Sequence, residues 1–223
     1  MTPLFPKEGT YEARAPVGTA EPQTYRKLNT AFVAHAVCVD CNTGWMNSTI
    51  EIPAQRVGLG LMADRRRKQS DPPVRLPPKA QRAIATWATK VALLFPYTLK
   101  PPIPVETDWL RRFRTYARPP KGFYVQIGTY GPASGPYCSV WTSALTVNSQ
   151  RLDVLTFHLG HIAFRVIEGP SSDPFMPLGP DPTFGGGPWF RIWPLSRRTL
   201  LWPRPAMTRE LLEWFAGEIP VRS

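Results

Sequence analysis

The chain is poor in cysteine and histidine, with three of each among 223 residues. An odd number of cysteines does not make the paired framework of a disulfide-stabilised secreted domain, so a reducing cytoplasm is the expected compartment. With so few histidines, no Ser/His/Asp or Cys/His arrangement for nucleophilic catalysis is readable. These scarcities exclude the disulfide-rich class and leave few groups for acid–base chemistry.

Long apolar runs are also missing. No segment approaches the roughly 20 apolar residues of a membrane span, so no membrane partner is expected. The N-terminus, MTPLFPKEGTYEARAP, lacks the charged start and apolar stretch of a secretory signal. A hydrophobic content of 43% and eight tryptophans argue against a disordered chain, despite 27 prolines. The composition predicts one compact, loop-rich unit.

Acidic residues are scarce relative to basic ones, which leaves a net charge of +11. Residues 65–121 hold 14 of the 27 Lys and Arg residues but only 3 of the 16 Asp and Glu residues. A polyanion is the natural partner of such a concentration, although a solvated basic face without a ligand has the same composition. The candidate nucleic-acid-binding residues are Arg65, Arg66, Arg67, Lys68, Arg111, Arg112, Arg114 and Arg118.

Three regions follow one another along the chain. Residues 1–30 are polar, contain Pro and Gly, and are expected to be irregular. Residues 31–121 contain the clearest helical period, from Pro78 to Phe95, and an arginine-dense helix from Thr107 to Ala117. Before these two helices, Ser48 and Glu51 have capping-box spacing, and the proline that follows leaves either a short turn or a kinked helix.

Residues 122–223 are predicted to be mainly strand. Alternating patterns predict strands at 122–130 and 137–147, a long strand over 151–169 with a bulge at Gly160, and the short strands WFRIWPL and TLLWP. Thr208 is predicted to cap a last helix, with Met207 and Leu212 as a hydrophobic staple. The pattern indicates an α+β fold with central helices packed on an antiparallel sheet built from residues 122–202.

Cys38 and Cys41 have the C-x-x-C spacing with which two thiolates bind one tetrahedral zinc ion. One such pair is half of a site. The candidates for the other ligands are His35, Cys138, His158 and His161. The alternative interpretation is a pair of reduced cysteines in a packed turn. Structural zinc is therefore one hypothesis for a cofactor.

The stretch VCVDCNTGWMNSTIE, residues 37–51, resembles the second half of HNH-type nuclease domains of bacteria and phages. The subgroup concerned has the motif C-x-x-C-N-x-G-W-M followed by a glutamate. Later segments are similar to the same subgroup in the same order. AIATWATKVALLF resembles its W-A-x-K-x-A helix, TFHLGHIAFRV its glycine-containing strand, and RIWPLSRRTLLWPRPAMTRELLEWF its Trp-Pro pairs and closing helix. The resemblance covers roughly residues 25–217.

The resemblance implies a ββα-metal fold in which Cys38 and Cys41 bind structural zinc and Asn42 faces a catalytic Mg²⁺ or Mn²⁺. It also implies that a turn and core anchor are formed by Gly44, Trp45 and Met46. Before the cysteine pair, however, the family's first C-x-x-C and its Glu-His-Pro segment, the source of the catalytic base, are absent. We therefore expect a truncated ββα-metal-like knuckle in a degenerate or N-terminally truncated HNH-like protein, which binds nucleic acid with weak or no cleavage.

The sequence is also compatible with two other functions. The Trp/Pro-rich segment 184–205 predicts an exposed aromatic surface for a protein partner in a phage or defence system. An active metal-dependent nuclease is the other alternative, and it would need unusual ligands such as His158 and His161.

Overall fold

The computed structural model describes residues 11–14, 37–64, 71–98, 105–131, 138–147, 150–169, 188–195, 198–203 and 205–215. The strands are β1 (Tyr11–Arg14), β2 (Val74–Leu76), β3 (Phe123–Tyr130), β4 (Cys138–Val147), β5 (Gln150–Leu159), β6 (Ile162–Glu168), β7 (Trp189–Trp193), β8 (Leu200–Trp202) and β9 (Ala206–Met207). The helices are α1 (Ile52–Arg56), α2 (Leu59–Ala63), α3 (Pro78–Leu94), α4 (Thr107–Tyr116) and α5 (Arg209–Phe215). A π-helix (Cys41–Glu51) precedes α1, and a 3₁₀ turn (Phe95–Thr98) follows α3.

One large sheet organises the described part of the chain. Its strands lie in the order β1-β4-β5-β6-β3-β7, and β9 pairs with the end of β3. The central pairs are antiparallel, whereas β1 on β4 and β9 on β3 are parallel. The predicted α+β class, with helices on a mainly antiparallel sheet, is confirmed.

Two details of the sheet differ from the prediction. Residues 200–202 do not join the large sheet, because β8 pairs with β2 in a separate antiparallel ribbon. Within residues 1–30, expected to be irregular, β1 forms a strand that extends the sheet beyond β4. Both are pairings between distant segments, which local sequence patterns do not encode.

The helix α3 packs its apolar face against one side of the sheet. Ile84, Trp87 and Ala88 are buried, and the Trp87 ring centroid lies 5.4 Å from that of Phe164 and 6.1 Å from that of Phe157. The predicted helix is confirmed and ends at Leu94, one residue earlier than expected. In the described ranges no helix, α3 included, is long and apolar enough to cross a membrane.

The opposite face of the sheet is also covered, at one end by α5. Thr208 Oγ1 accepts a hydrogen bond from the Leu211 N–H at 3.2 Å, as predicted for a helix cap. Met207 and Leu212 are buried in one cluster, which confirms the predicted hydrophobic staple. The other members of this cluster are Tyr130, Trp141, Ala163 and Trp189.

The long strand predicted over 151–169 is wrong, because the chain reverses between β5 and β6. Leu159 pairs with Ile162, so Gly160 lies in a tight turn and not in a bulge. Its φ of 56° suits glycine, and a β-carbon there would lie 1.8 Å from the carbonyl oxygen of Ala63. The turn therefore packs directly against the end of α2.

The predicted capping box of Ser48 and Glu51 is also wrong. Ser48 Oγ donates to the carbonyl of Gly44 at 2.9 Å, inside a helix that has already begun. The chain stays helical across Pro53, because Ile52 has helical angles and its N–H bonds to the carbonyl five residues earlier. Of the two alternatives before this proline, the structure thus has the distorted helix, with π-type winding leading into α1.

The carboxyl group of Glu168, at the end of β6, makes stability depend on pH. Burial first, and then Asp153 and Glu106, raise its pKa from 4.5 to about 7. The folded state therefore binds this proton more tightly than the unfolded state, and we expect the free energy of unfolding to fall as pH rises from about 4.5 to about 7. Denaturant titrations of the wild type and Glu168→Gln measure the effect. Identical pH profiles for the two proteins would contradict it.

Candidate functional site

The cysteine pair lies at the start of the π-helix. Cys38 is exposed and Cys41 is half-buried. The backbone N–H of Cys41 donates to Cys38 Sγ at 3.3 Å, and the Asn42 N–H donates to the Cys38 carbonyl at 3.0 Å. Thr43 Oγ1 closes the same turn by donating to the Val39 carbonyl at 2.9 Å. This turn holds the two sulfurs close to one another.

Hydrogen bonding gives the two thiols different acidities. The Cys41 thiol, and then its backbone N–H, donate to Cys38 and lower the pKa of Cys38. Because the Cys41 thiol is the donor, this hydrogen bond, followed by partial burial, raises the pKa of Cys41, while Arg114 opposes the rise. Thiolate character is therefore concentrated on Cys38, the more exposed sulfur.

Both thiols open into a cavity of about 320 Å³ next to the last turns of α3. Lys90 and Arg114 bring positive charge to it. Its remaining walls are apolar or aromatic: Val37, Trp45, Met46, Leu93, Leu94, Tyr97, Leu110 and Phe113. Because Arg114 belongs to α4, the structure brings together the cysteine knuckle and the arginine helix, which are far apart in sequence. We name this cavity the cysteine pocket.

The helix α4 is fixed in place by its aromatic side. Phe113 is buried, and its ring meets Trp45 of the π-helix edge-on at 6.3 Å. Trp109 meets Phe123 of β3 in the same manner at 5.1 Å. The aromatic side of this helix, apart from the exposed Tyr116, therefore packs between the π-helix and the sheet.

The arginines predicted to bind nucleic acid in this region are all exposed: Arg111, Arg112 and Arg114 of α4, and Arg118, which follows it. The Arg111 side chain is 77% exposed and that of Arg112 is 49% exposed, although Asp108 forms ion pairs with both. Exposed ion pairs of this kind contribute little to stability, so these arginines remain able to exchange a carboxylate for a phosphate.

Two of the guanidinium groups lie over aromatic rings. Arg112 is 5.9 Å from the ring centroid of Trp109, and Arg118 is 5.4 Å from that of Tyr116. A surface depression of about 390 Å³ adjoins them, between Asp108 and Tyr116. Stacking orders an arginine without using its N–H groups, which stay free to bind anionic oxygens. We name this side of α4 the arginine face.

The other predicted nucleic-acid-binding residues, Arg65, Arg66, Arg67 and Lys68, lie outside the described residues, as does His35. Asn42, predicted to face a catalytic metal, is exposed on the first turn of the π-helix, and its role stays a prediction.

Sequence reasoning missed the role of Glu51. Its carboxylate accepts a hydrogen bond from Trp87 Nε1 at 2.9 Å and forms an ion pair with Lys90, one turn further along α3. Both charged side chains are largely buried, at 19% and 13% exposure. The signal was present, since Trp87 and Lys90 are the Trp and Lys of the W-A-x-K-x-A motif, and Glu51 is the glutamate that follows C-x-x-C-N-x-G-W-M.

The donor set for zinc is incomplete in the described residues. Within them, no group of three or more His, Cys, Asp or Glu side chains is placed to hold a metal ion. Cys138 is buried in the core, where burial raises the pKa of its thiol to about 12. Two thiols alone do not satisfy the tetrahedral coordination that structural zinc requires.

The two histidines of the hairpin are used structurally. His158 is fully buried, and its ring centroid lies 4.1 Å from that of Tyr130 and 6.1 Å from that of Trp141. His161 Nδ1 lies 2.9 Å from the Tyr130 carbonyl oxygen. His158 faces the α5 side of the sheet, whereas the knuckle packs with α3 on the other side. This geometry separates these histidines from the cysteine pair.

The tryptophans expected to form an exposed surface in residues 184–205 are largely buried. Trp189 is 5% exposed and meets Phe215 edge-on at 5.6 Å, and Trp202 is 1% exposed. Trp193 is half-buried and packs against the main core. That expectation is therefore wrong for these side chains, because both faces of the sheet are covered and Trp202, in the β2–β8 ribbon, packs into the main core.

No protein-family model, curated protein or solved structure matches the chain. The resemblance to HNH-type domains thus stays a prediction from the motifs.

The Glu51 contact can be tested through stability. We expect Glu51→Ala to lower the free energy of unfolding by about 3 kcal/mol, because it leaves Lys90 charged and largely buried without its partner. Glu213→Ala, which removes an ion pair to Arg209 on α5, is the matched control and should cost about 1 kcal/mol or less. Equal losses in urea denaturation would contradict a special role for Glu51.

Proposed function

We propose that the chain binds nucleic acid through the arginine face of α4. The proposal rests on one observation, that α4 has an aromatic side that is packed and a basic side that is exposed. Its aromatic side is anchored to the knuckle and to β3, and its arginines are exposed together. A rigid helix that presents several guanidinium groups is suited to the regularly spaced phosphates of a nucleic acid backbone.

The charge distribution supports the same proposal. The excess of positive charge lies in residues 65–121, which include α4. Guanidinium groups stacked on Trp109 and Tyr116 place aromatic rings beside the cations, and this combination suits contact with both phosphates and bases. Contacts of this kind are mainly to the backbone, so we expect affinity with little sequence preference.

We further infer that the chain is a divergent relative of HNH-type nucleases. The support is the contact of Glu51 with Trp87 and Lys90, which joins two of the quoted motifs. In this relative the knuckle would serve chiefly to hold the π-helix on α3. Hydrolysis needs a base within reach of the attacking water, and the described residues place no histidine or carboxylate in the cysteine pocket. We therefore propose binding with weak or no cleavage.

Binding can be tested with a short fluorescent duplex and a single strand of the same length. We expect the logarithm of the association constant to fall linearly with the logarithm of salt concentration. Replacing Arg111, Arg112 and Arg114 together by Gln should weaken binding and reduce the slope by about 1 per lost phosphate contact. Fluorescence anisotropy at several NaCl concentrations measures both quantities.

A charge-matched triple variant controls this experiment. Arg56, Arg75 and Arg82 are exposed but lie outside α4, so their joint replacement by Gln should leave most of the slope intact. An association constant that does not change with salt, or equal losses in the two triple variants, would contradict the arginine face as the binding surface.

Zinc content tests the state of the knuckle. Because the described donor set supplies only Cys38 and Cys41, we expect purified protein to hold less than one zinc per chain. Elemental analysis of the protein measures this ratio, with Cys38→Ser as the control for metal bound elsewhere. One tightly held zinc per chain, lost in Cys38→Ser, would contradict the expectation and show that ligands outside the described residues complete the site.

A further inference from the structure

A row of polar side chains crosses the α5 face of the large sheet. Thr156 of β5 pairs with Arg165 of β6, Arg165 with Gln126 of β3, and Gln126 with Arg191 of β7. Residues directly opposite one another on neighbouring strands point to the same face, so these side chains form one continuous row. Trp141 of β4, opposite Thr156, continues the row towards β1. We name it the Arg165 row.

The row is buried between two apolar clusters. One contains Tyr130, Trp141 and Trp189, and the other contains Leu152 and Ile167. Exposure is 0% for Thr156, 6% for Arg165 and 8% for Gln126. Arg191 of β7, the last strand in the order of the sheet, is only half-buried, so among the described residues this end of the row is not fully shielded from solvent.

The charge of Arg165 has no counter-charge among the described residues. Its only described electrostatic neighbour is the ring of Phe215, whose centroid is 5.7 Å from the guanidinium carbon. Burial lowers the pKa of Arg165 to about 10. Because an arginine remains charged at neutral pH even so, its removal from water must be offset by an anion or by several acceptors. An aromatic ring alone does not provide this.

The hydrogen-bonding groups of the row also favour an anionic partner for Arg165. No described residue accepts a hydrogen bond from Arg165 Nε or from Trp141 Nε1, and the side-chain oxygens of Thr156 and Gln126 are also without partners. Guanidinium and indole N–H groups can only donate, a hydroxyl can donate or accept, and the side-chain oxygen of Gln126 can only accept. Two buried donors, Arg165 Nε and Trp141 Nε1, therefore lack an acceptor among the described residues. A group with several anionic oxygens is the complement of these donors and of the Thr156 hydroxyl.

We propose that the Arg165 row is a binding site for an anionic oxygen group, a carboxylate or a phosphate. The guanidinium of Arg165 pairs with the anion, and the Thr156 hydroxyl and the Trp141 indole N–H donate to its remaining lone pairs. This site is separate from the arginine face, because α4 packs against Phe123 on the opposite side of the sheet. It does not depend on nucleic acid binding.

The test uses the whole chain, with inorganic phosphate and acetate as probes and sodium chloride at matched ionic strength as the reference. We expect phosphate or acetate to shift the NMR signals of Arg165 Nε–H and Trp141 Nε1–H in a saturable manner, and to raise the thermal unfolding midpoint by several degrees. Sodium chloride should do neither.

Three variants make the test specific. Arg165→Met should lose the response to both probes and, without added anion, should be as stable as the wild type or more stable, since it removes a buried charge. Thr156→Val keeps the shape of the side chain and should weaken binding about tenfold. Arg82→Met removes an exposed arginine of α3 and should keep the full response.

Two results would overturn the proposal. If neither probe has an effect, the row is not an anion site, and strong destabilisation of Arg165→Met would then identify the counter-charge as an acidic side chain of this chain. If sodium chloride gives the same shifts as phosphate, or if phosphate shifts the Trp141 Nε1–H signal equally in Arg165→Met and in the wild type, the response is general screening of charge.

Discussion

The packing of the helical layer on the sheet depends on the indole of Trp87. Its ring packs against Phe157 and Phe164 of the sheet, and its Nε1–H donates to Glu51 of the π-helix. One side chain of α3 thus contacts both the layer below it and the helix beside it, and Lys90 neutralises the carboxylate that the indole binds. Because the same π-helix carries Trp45, which holds Phe113, the placement of α4 follows from this contact as well.

The sequence predicts those parts of the fold whose signal is local. The period of α3, the alternation in β3 and β4, and the cap of α5 at Thr208 each lie within one short segment, and each is confirmed. The interpretation failed where one local pattern fits two structures. A glycine in an alternating apolar segment suits a bulge or a turn, and here the close approach of Ala63 to Gly160 selects the turn.

The candidate site likewise has some features with a local sequence signal and others that depend on tertiary contacts. The density of arginine on α4 is visible in the composition, whereas the proximity of Arg114 to Cys41 depends on how two helices meet. Glu51 has the sequence spacing of a helix-capping residue, but its partners Trp87 and Lys90 lie on α3. Glu51 therefore makes a tertiary contact and not the local capping contact. The Pro/Gly-rich sequence of residues 184–205 suggests that its tryptophans lie on the surface. Trp189 and Trp202 are instead buried, Trp189 under α5 on one face of the sheet and Trp202 in the main core.

The turn at Gly160 has a consequence for protein engineering. Hairpin tips are usually the places where a protein accepts an inserted epitope, a fluorescent label or a circular permutation, because they project into solvent. This tip is instead pressed against the last carbonyl of α2, where not even one extra carbon atom fits. An insertion between Leu159 and Ile162 would push α2 away from the sheet, so this hairpin belongs to the interior of the protein.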